Sequence, residues 1–315
     1  RRPPTAPTVG EAGVAQTMQT PTPGDRVLAT PATRRLAREM GVEIAKVRGT
    51  GPMGRVTDDD VRSAAGGSPI ARSVGAEAQN ADAEERVPLR GVRKAVAERM
   101  TKSSRTAAHV TVVEEVDMTE LVLLKEAFKG SAEKRGVKLT FLPLMIKAVI
   151  PALREFPYIN ASLDDVQAEI VLRKSYNIGI AMDTEQGLVV PVLKDVDKKD
   201  IFEIAGEIER LAQKARSGQL SLDEVRGSTF TITNIGSIGG LFSTPIINYP
   251  EVAILGVHRI SKKPVVREGK IEVRDVMYAS LSFDHRVIDG AYAARFMKNV
   301  IETVQEPKKL LSEIL

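Results

Sequence analysis

Two stretches without an apolar repeat divide this chain and limit what it can fold into. Residues 1–25 are rich in Pro, Thr, Ala and Gly; residues 66–85 open with Gly66-Gly67-Ser68-Pro69 and continue with small and acidic residues. Neither can bury enough surface to order itself, so both read as extended, mobile linkers. They leave a small unit at 26–65 and a large one at 86–315. The small unit is close to the lower size at which a domain folds without a metal or disulfide, about 40 residues. A linker at the head of the chain implies that another domain preceded it, and the chain reads as a piece of a longer polypeptide.

Composition removes several classes. Cysteine is absent, which excludes a disulfide framework, a thiolate metal site and a cysteine nucleophile, and fits a reducing compartment. Tryptophan is absent and aromatic residues make up 4%, so the core must be aliphatic. A net charge of +4 is too balanced to imply nucleic-acid binding. The longest apolar run, 139–153, is interrupted by Lys147 and is too short to span a bilayer.

Local signals place the elements. In the small unit Thr30 caps a helix that Pro31 opens and Gly41 stops. A loop with Gly49, Gly51 and Gly54 follows, and Thr57-Asp58-Asp59-Asp60 starts a second short helix with acids at its positive end. Arg34, Arg35, Arg38, Lys46, Arg48 and Arg55 make the surface basic. That suits an acidic protein partner. A DNA-reading helix pair fits less well, because three aspartates would meet the phosphates.

The large unit should contain a helix over 88–102, a strand over 110–116, and a long helix whose start is a capping box of Asp117 with Glu120. A helix over 141–155 follows, bent at Pro151. Alternating residues 176–182 turn at 183–187 into 188–192. A helix from Asp200 ends at Gly218, Ser221 to Glu224 opens a short helical turn, and strands cover 229–233 and 252–257. Glu268-Gly269-Lys270 turns a hairpin, and 276–281 is a strand. Helices and strands do not alternate strictly, which argues for an α+β fold with a mixed sheet.

After that last strand comes the polar insert Ser282-Phe283-Asp284-His285-Arg286-Val287-Ile288-Asp289-Gly290, then an amphipathic helix over 291–304. Asp289 before Gly290 is a good N-cap. His285 can be a proton-transfer group or a satisfied turn histidine; the motif alone does not choose. The glycine-rich 234–240 follows a strand but lacks both phosphate-loop orders. It reads as a turn or a close backbone approach to a ligand, with Thr233 offering a hydroxyl at the strand end.

Residues 29–42 and 47–56 resemble the peripheral subunit-binding domain of the dihydrolipoyl acyltransferases, the core components of 2-oxo acid dehydrogenase complexes. The segments 284–290, 230–236, 244–248, 250–257, 177–181 and 187–192 resemble the catalytic domain of the same family, in the same domain order. The resemblance implies a chloramphenicol-acetyltransferase-like catalytic domain preceded by a small two-helix binding domain. It implies acyl transfer, most simply acetyl, between dihydrolipoamide and coenzyme A, with His285 as base, Thr233 as oxyanion donor and Asp289 holding the loop by charge pairing. Coenzyme A is then a substrate, and the lipoyl group belongs to a domain absent from this chain. Arg34, assisted by Arg35, Arg38 and Arg55, would grip the 2-oxo acid dehydrogenase component or dihydrolipoyl dehydrogenase. Trimers would pair His285 of one subunit with Thr233 of the next and build a core of 24 or 60 subunits. The tail 310–315 would pack between trimers. The setting is the bacterial cytoplasm or, alternatively, the mitochondrial matrix, with no nucleic acid and no membrane. Other readings are a branched-chain or 2-oxoglutarate acyltransferase, a scaffold without catalysis, and an antibiotic acetyltransferase, which would not need residues 26–65.

Overall fold

The computed structural model describes residues 27–65, 85–185, 187–236 and 238–310. The expected linkers fall almost wholly outside them, as does all but Leu310 of the tail. The chain divides into two compact units, Arg1–Arg86 and Val87–Leu315.

In the first unit α1 spans Pro31–Glu39 and α2 spans Asp58–Ala64. Thr30 caps α1 by accepting from the Thr33 amide at 3.1 Å, and Gly41 takes a positive φ just beyond it. Thr57 and Asp60 form a full capping box on α2. The Asp60 carboxylate also accepts from the Thr50 amide at 3.0 Å and the Thr50 hydroxyl at 2.8 Å, so the helix start anchors the glycine loop. Burial acts to raise this carboxyl, yet the Thr57 and Thr50 amides and hydroxyls hold it at about 2. The loop needs glycine at Gly49, where a Cβ would lie 2.3 Å from the Gly54 carbonyl oxygen. Ala37, Val56 and Val61 form the small core.

The second unit is a seven-stranded mixed sheet. Its strands are β1 (His109–Asp117), β4 (Ile178–Ala181), β5 (Val192–Leu193), β6 (Phe230–Asn234), β7 (Ala253–Val257), β8 (Ser261–Arg267) and β9 (Lys270–Asp284). The order is β1-β9-β7-β6-β4-β5, with β8 paired to the outer half of β9. Pairing is parallel for β4/β6 and β6/β7 and antiparallel elsewhere. A separate hairpin joins β2 (Ala161–Asp164) to β3 (Glu169–Leu172). The helices are α3 (Gly91–Thr106), α4 (Thr119–Lys134), α5 (Phe141–Glu155), α6 (Ile201–Arg216) and α7 (Gly290–Gln305).

Strand β9 shows how the sheet is built. Met277, Ala279, Leu281 and Phe283 enter one aliphatic core with Phe296, Met297 and Val300 of α7. The alternate residues Ser280, Ser282 and Asp284 face the other side and are also buried. Sequence reading ended this strand at Leu281 because polar residues follow. The structure continues it to Asp284, since Ser282 finds Thr111 at 2.8 Å and Asp284 finds several donors. Glu268 and Gly269, both at positive φ, turn the β8–β9 hairpin as expected.

Two further expectations change. Helix α3 lies at Gly91–Thr106 rather than 88–102, and its stripe of Val92, Val96 and Met100 is only partly covered. Asp117 does not cap α4. It ends β1, accepts from the Thr119 amide at 3.0 Å, and receives Arg274 Nε at 2.8 Å. Helix α5 is buried nearly throughout; Lys147 reaches out of it to donate to the Lys199 carbonyl at 2.8 Å. Among the described residues no helix is long and apolar enough to cross a membrane.

Candidate functional site

The loop between β9 and α7 is fixed at both ends. At its start the Asp284 carbonyl accepts from the Val287 and Ile288 amides at 3.0 Å each, making one tight turn. The Asp284 carboxylate takes the Ala108 amide at 3.1 Å, the Arg286 amide at 3.1 Å and Arg286 Nη2 at 2.6 Å. Burial works to raise the Asp284 carboxyl, but the Arg286 guanidinium and these amides outweigh it and hold it below its usual range. At its end Asp289 caps α7, accepting from the Tyr292 amide at 2.7 Å. The expected charge pairing of the loop falls to Asp284 and Arg286, while Asp289 acts through its cap. The physical reason is position: Asp289 stands at a helix start, where amides without partners are nearest.

His285 lies between these anchors. Its backbone amide donates to the Ala108 carbonyl at 2.8 Å, and its exposed ring tilts against Phe283 with centroids 5.9 Å apart. The three histidines differ sharply. His109 Nδ1 lies 3.1 Å from the Ala107 carbonyl, and its Nε2 accepts the Ile247 amide at 3.1 Å. His258 is held by the Tyr278 carbonyl at 2.9 Å and the Ser243 hydroxyl at 2.9 Å. Neither ring nitrogen of His285 has a hydrogen-bond partner among the described residues.

Thr233 stands on β6, half-buried, with no side-chain hydrogen bond among the described residues. Its register partner on β7 is Gly256, and that of Gly256 on β9 is Ser280. Ser280 lies four residues before Asp284, roughly 13 Å along the strand at about 3.3 Å per residue. The sheet therefore sets Thr233 and His285 well apart within one chain. In the small unit Arg34 and Arg35 project from α1 beside Arg38, all exposed, and Arg35 pairs with Glu39 at 2.8 Å. Arg55 is exposed on the glycine loop, its guanidinium without a partner among the described residues.

Sequence reading missed a polar cluster beneath the loop. Glu251, 4% exposed, accepts from the Ser228 hydroxyl, from the Thr231 hydroxyl at 2.6 Å and from Asn248 Nδ2 at 2.7 Å. Burial pushes its carboxyl up to about 7, against these donors and the Arg99 charge, which favour the ionised form. Asp165, at the tip of the β2–β3 hairpin, accepts from Arg286 and from the Tyr249 hydroxyl. Nothing in the local sequence of either carboxylate signals these partners.

Residues 81–312 match the family model described as 2-oxoacid dehydrogenases acyltransferase (catalytic domain), and residues 27–62 match the e3 binding domain. The chain is 45% identical over 306 residues to the dihydrolipoyllysine-residue acetyltransferase component of the pyruvate dehydrogenase complex of Bacillus subtilis, covering 92% of this chain and 69% of that protein. The Staphylococcus aureus component is 44% identical, covering 91% and 71%. An Azotobacter vinelandii dihydrolipoamide acetyltransferase structure superposes with a TM-score of 0.70 at 44% identity, covering 72% of this chain and 94% of that one. The cubic core of a pyruvate dehydrogenase multienzyme complex does so with a TM-score of 0.70 at 43% identity and the same coverage. The chain belongs to the 2-oxoacid dehydrogenase acyltransferase family and carries that family's e3 binding domain.

Proposed function

We propose that this chain transfers an acetyl group between dihydrolipoamide and coenzyme A, with His285 as base and Thr233 as oxyanion donor. The observation that carries the reading is the His285 ring: exposed, held on a fixed backbone, and, among the described residues, the one histidine with no hydrogen-bond partner at either ring nitrogen. A thiol is mostly protonated at neutral pH, so a neutral imidazole must take its proton as it attacks the thioester carbonyl. The tetrahedral oxyanion is met by a hydroxyl already in place, and Thr233, stiff at its β-branch, supplies one. Collapse expels the other thiolate, which recovers the proton from His285. No covalent enzyme intermediate is needed.

The Azotobacter structure was solved to examine a serine, a histidine and an asparagine in its catalytic mechanism, spaced as Thr233, His285 and Asp289 are here. Threonine keeps the hydroxyl donor. Asp289 keeps an oxygen acceptor for the helix cap.

The separation of Thr233 from His285 across the sheet supports a site shared between copies, as in a trimer. Exposed apolar residues support the same assembly: Val266 at 70%, Ile271 at 76% and Val273 at 69% on the β8–β9 hairpin. Trimers would then build a larger core, and the likeness to the cubic core of a pyruvate dehydrogenase multienzyme complex supports such an assembly. The e3 binding domain would dock dihydrolipoyl dehydrogenase or the decarboxylating component through Arg34, Arg35, Arg38 and Arg55. The enzyme would work on lipoyl groups borne by another domain, in the bacterial cytoplasm.

The test is acyl transfer to dihydrolipoamide from acetyl-, isobutyryl- and succinyl-coenzyme A, on wild type and His285→Ala. The expected outcome is a preference for acetyl and a loss of about 100- to 10,000-fold in the variant. Preference for another donor reassigns the acyl group, and unchanged turnover in the variant removes His285 as base.

A further inference from the structure

The β2–β3 hairpin stands outside the main sheet, and its placement has a consequence for the histidine loop. Its tip is fixed from within. Asp164 Oδ1 accepts from the Val166 amide at 2.9 Å and the Gln167 amide at 3.1 Å, so the turn after β2 is tight. Its base is fixed too: Arg173 Nη2 donates to Ser162 Oγ at 2.8 Å, and Asn160 Nδ2 donates to the Arg173 carbonyl at 3.1 Å. The backbone of Ser162 also forms an isolated antiparallel bridge with that of Glu251.

This rigid hairpin holds out one side chain, Asp165. Its Oδ1 accepts from Arg286 Nη1 at 2.7 Å, and its Oδ2 accepts from the Tyr249 hydroxyl at 2.5 Å. Lys102 of α3 lies 5.0 Å over the Tyr249 ring. On its other side Arg286 grips Asp284, with Nε at 3.0 Å from each carboxylate oxygen and Nη2 at 2.6 Å from one. Asp284 is almost fully buried, at 3% side-chain exposure, so that half of the clasp is shielded from water and the pairing is strong. The guanidinium is planar and cannot rotate one fork without moving the other. Asp284 and Arg286 are the two residues flanking His285.

We infer that Asp165, seated by Tyr249, is a positioning residue for the His285 loop: through Arg286 it sets the direction in which the imidazole is presented. Asp165 touches no reacting atom in this arrangement. It acts by fixing the residue after His285, while the Ala108 carbonyl fixes the His285 amide. The role follows from the way His285 is held. Among the described residues its ring has no hydrogen bond, only the contact with Phe283, so its aim depends chiefly on the backbone on both sides. A misplacement of about 1 Å in a general base can cost about 100-fold in rate.

The inference rests on His285 being the base. The experiment uses the full chain in its assembled form, with acetyl-coenzyme A and dihydrolipoamide as substrates. Asp165→Ala should lower kcat about 10- to 100-fold while KM for both substrates stays within about twofold. Asp165→Glu should recover part of that loss, because it restores a carboxylate to Arg286. Tyr249→Phe should lower kcat less, about threefold, since Arg286 keeps its partner. Unchanged kcat in Asp165→Ala overturns the inference. So does a loss of rate that vanishes when kcat is normalised to assembled particle, which would assign Asp165 to stability alone. If Asp165→Ala does not assemble, Tyr249→Phe with the same split of kcat from KM decides the matter. His285→Ala is measured alongside. If it keeps wild-type turnover, the base assignment fails; if it is inactive and Asp165→Ala is normal, only the positioning role fails.

Discussion

A carboxylic acid buried among hydroxyls is the most telling single residue here. Glu251 is placed where its ionised form gains three donors but loses water, and the loss is the larger effect, so its carboxyl sits at about 7. A group whose folded value is raised contributes stability that is present below its unfolded value and lost as pH rises through the folded one. The window here runs from about 4.5 to about 7. Glu251→Gln keeps the neutral form at all pH. Thermal unfolding at pH 5.5 and 8 should show the variant gaining on wild type as pH rises, whatever the fixed offset from the exchanged hydrogen bonds. A difference between the two proteins that does not change with pH would show that Glu251 is already ionised at the lower value.

Among the elements, the two-helix unit separates docking from catalysis. Its fold depends on short-range contacts: the Thr30 cap, the Thr57–Asp60 capping box and the tie from Asp60 to Thr50. Its basic side chains lie on the outside, where Arg34 also donates to the Val27 carbonyl at 2.5 Å. Arg34→Ala should therefore weaken binding of dihydrolipoyl dehydrogenase by about 10-fold or more, with acyl transfer to free dihydrolipoamide unchanged. Calorimetric titration on the assembled chain reads the first, and steady-state assay the second. Equal affinity in the two proteins would remove Arg34 from the docking surface. The e3 binding domain itself would stand, because the match covers residues 27–62 as a whole.

For the whole molecule the register of the central sheet has the largest consequence. Thr233, Gly256 and Ser280 form one row across β6, β7 and β9, while His285 stands beyond the far end of β9. On the proposed reading, a site that uses both residues takes them from two copies. Two inactive parents, His285→Ala and Thr233→Val, should then complement when mixed and reassembled. In random assortment about one interface in four pairs an intact histidine with an intact threonine, so about a quarter of wild-type turnover should return. Mixed particles no more active than their parents would show that each chain builds its own site.

Much of this was legible along the chain because the signals are local. Asp289 before Gly290, Asp200 and Gly218 bounding one helix, and Glu268 with Gly269 in a hairpin turn are local signals, and each element they bound was found where expected. The mixed α+β class was likewise open to reading from the run of strands and helices. Where local spacing alone was used, it misled: Asp117 with Glu120 has the pattern of a cap, but Arg274 from the neighbouring strand takes Asp117 instead. Long-range pairing decided the rest. Asp165 meets Arg286 from 121 positions away, and Glu251 gathers Ser228, Thr231 and Asn248 only once β6 and β7 lie side by side. The sequence by itself determined the fold class and most of the elements, and it singled out His285 as a candidate for proton transfer. The tertiary structure alone decided what holds that residue in place and how far it stands from Thr233, because both depend on which strands become neighbours, and strand order is a property of the closed sheet rather than of any local stretch.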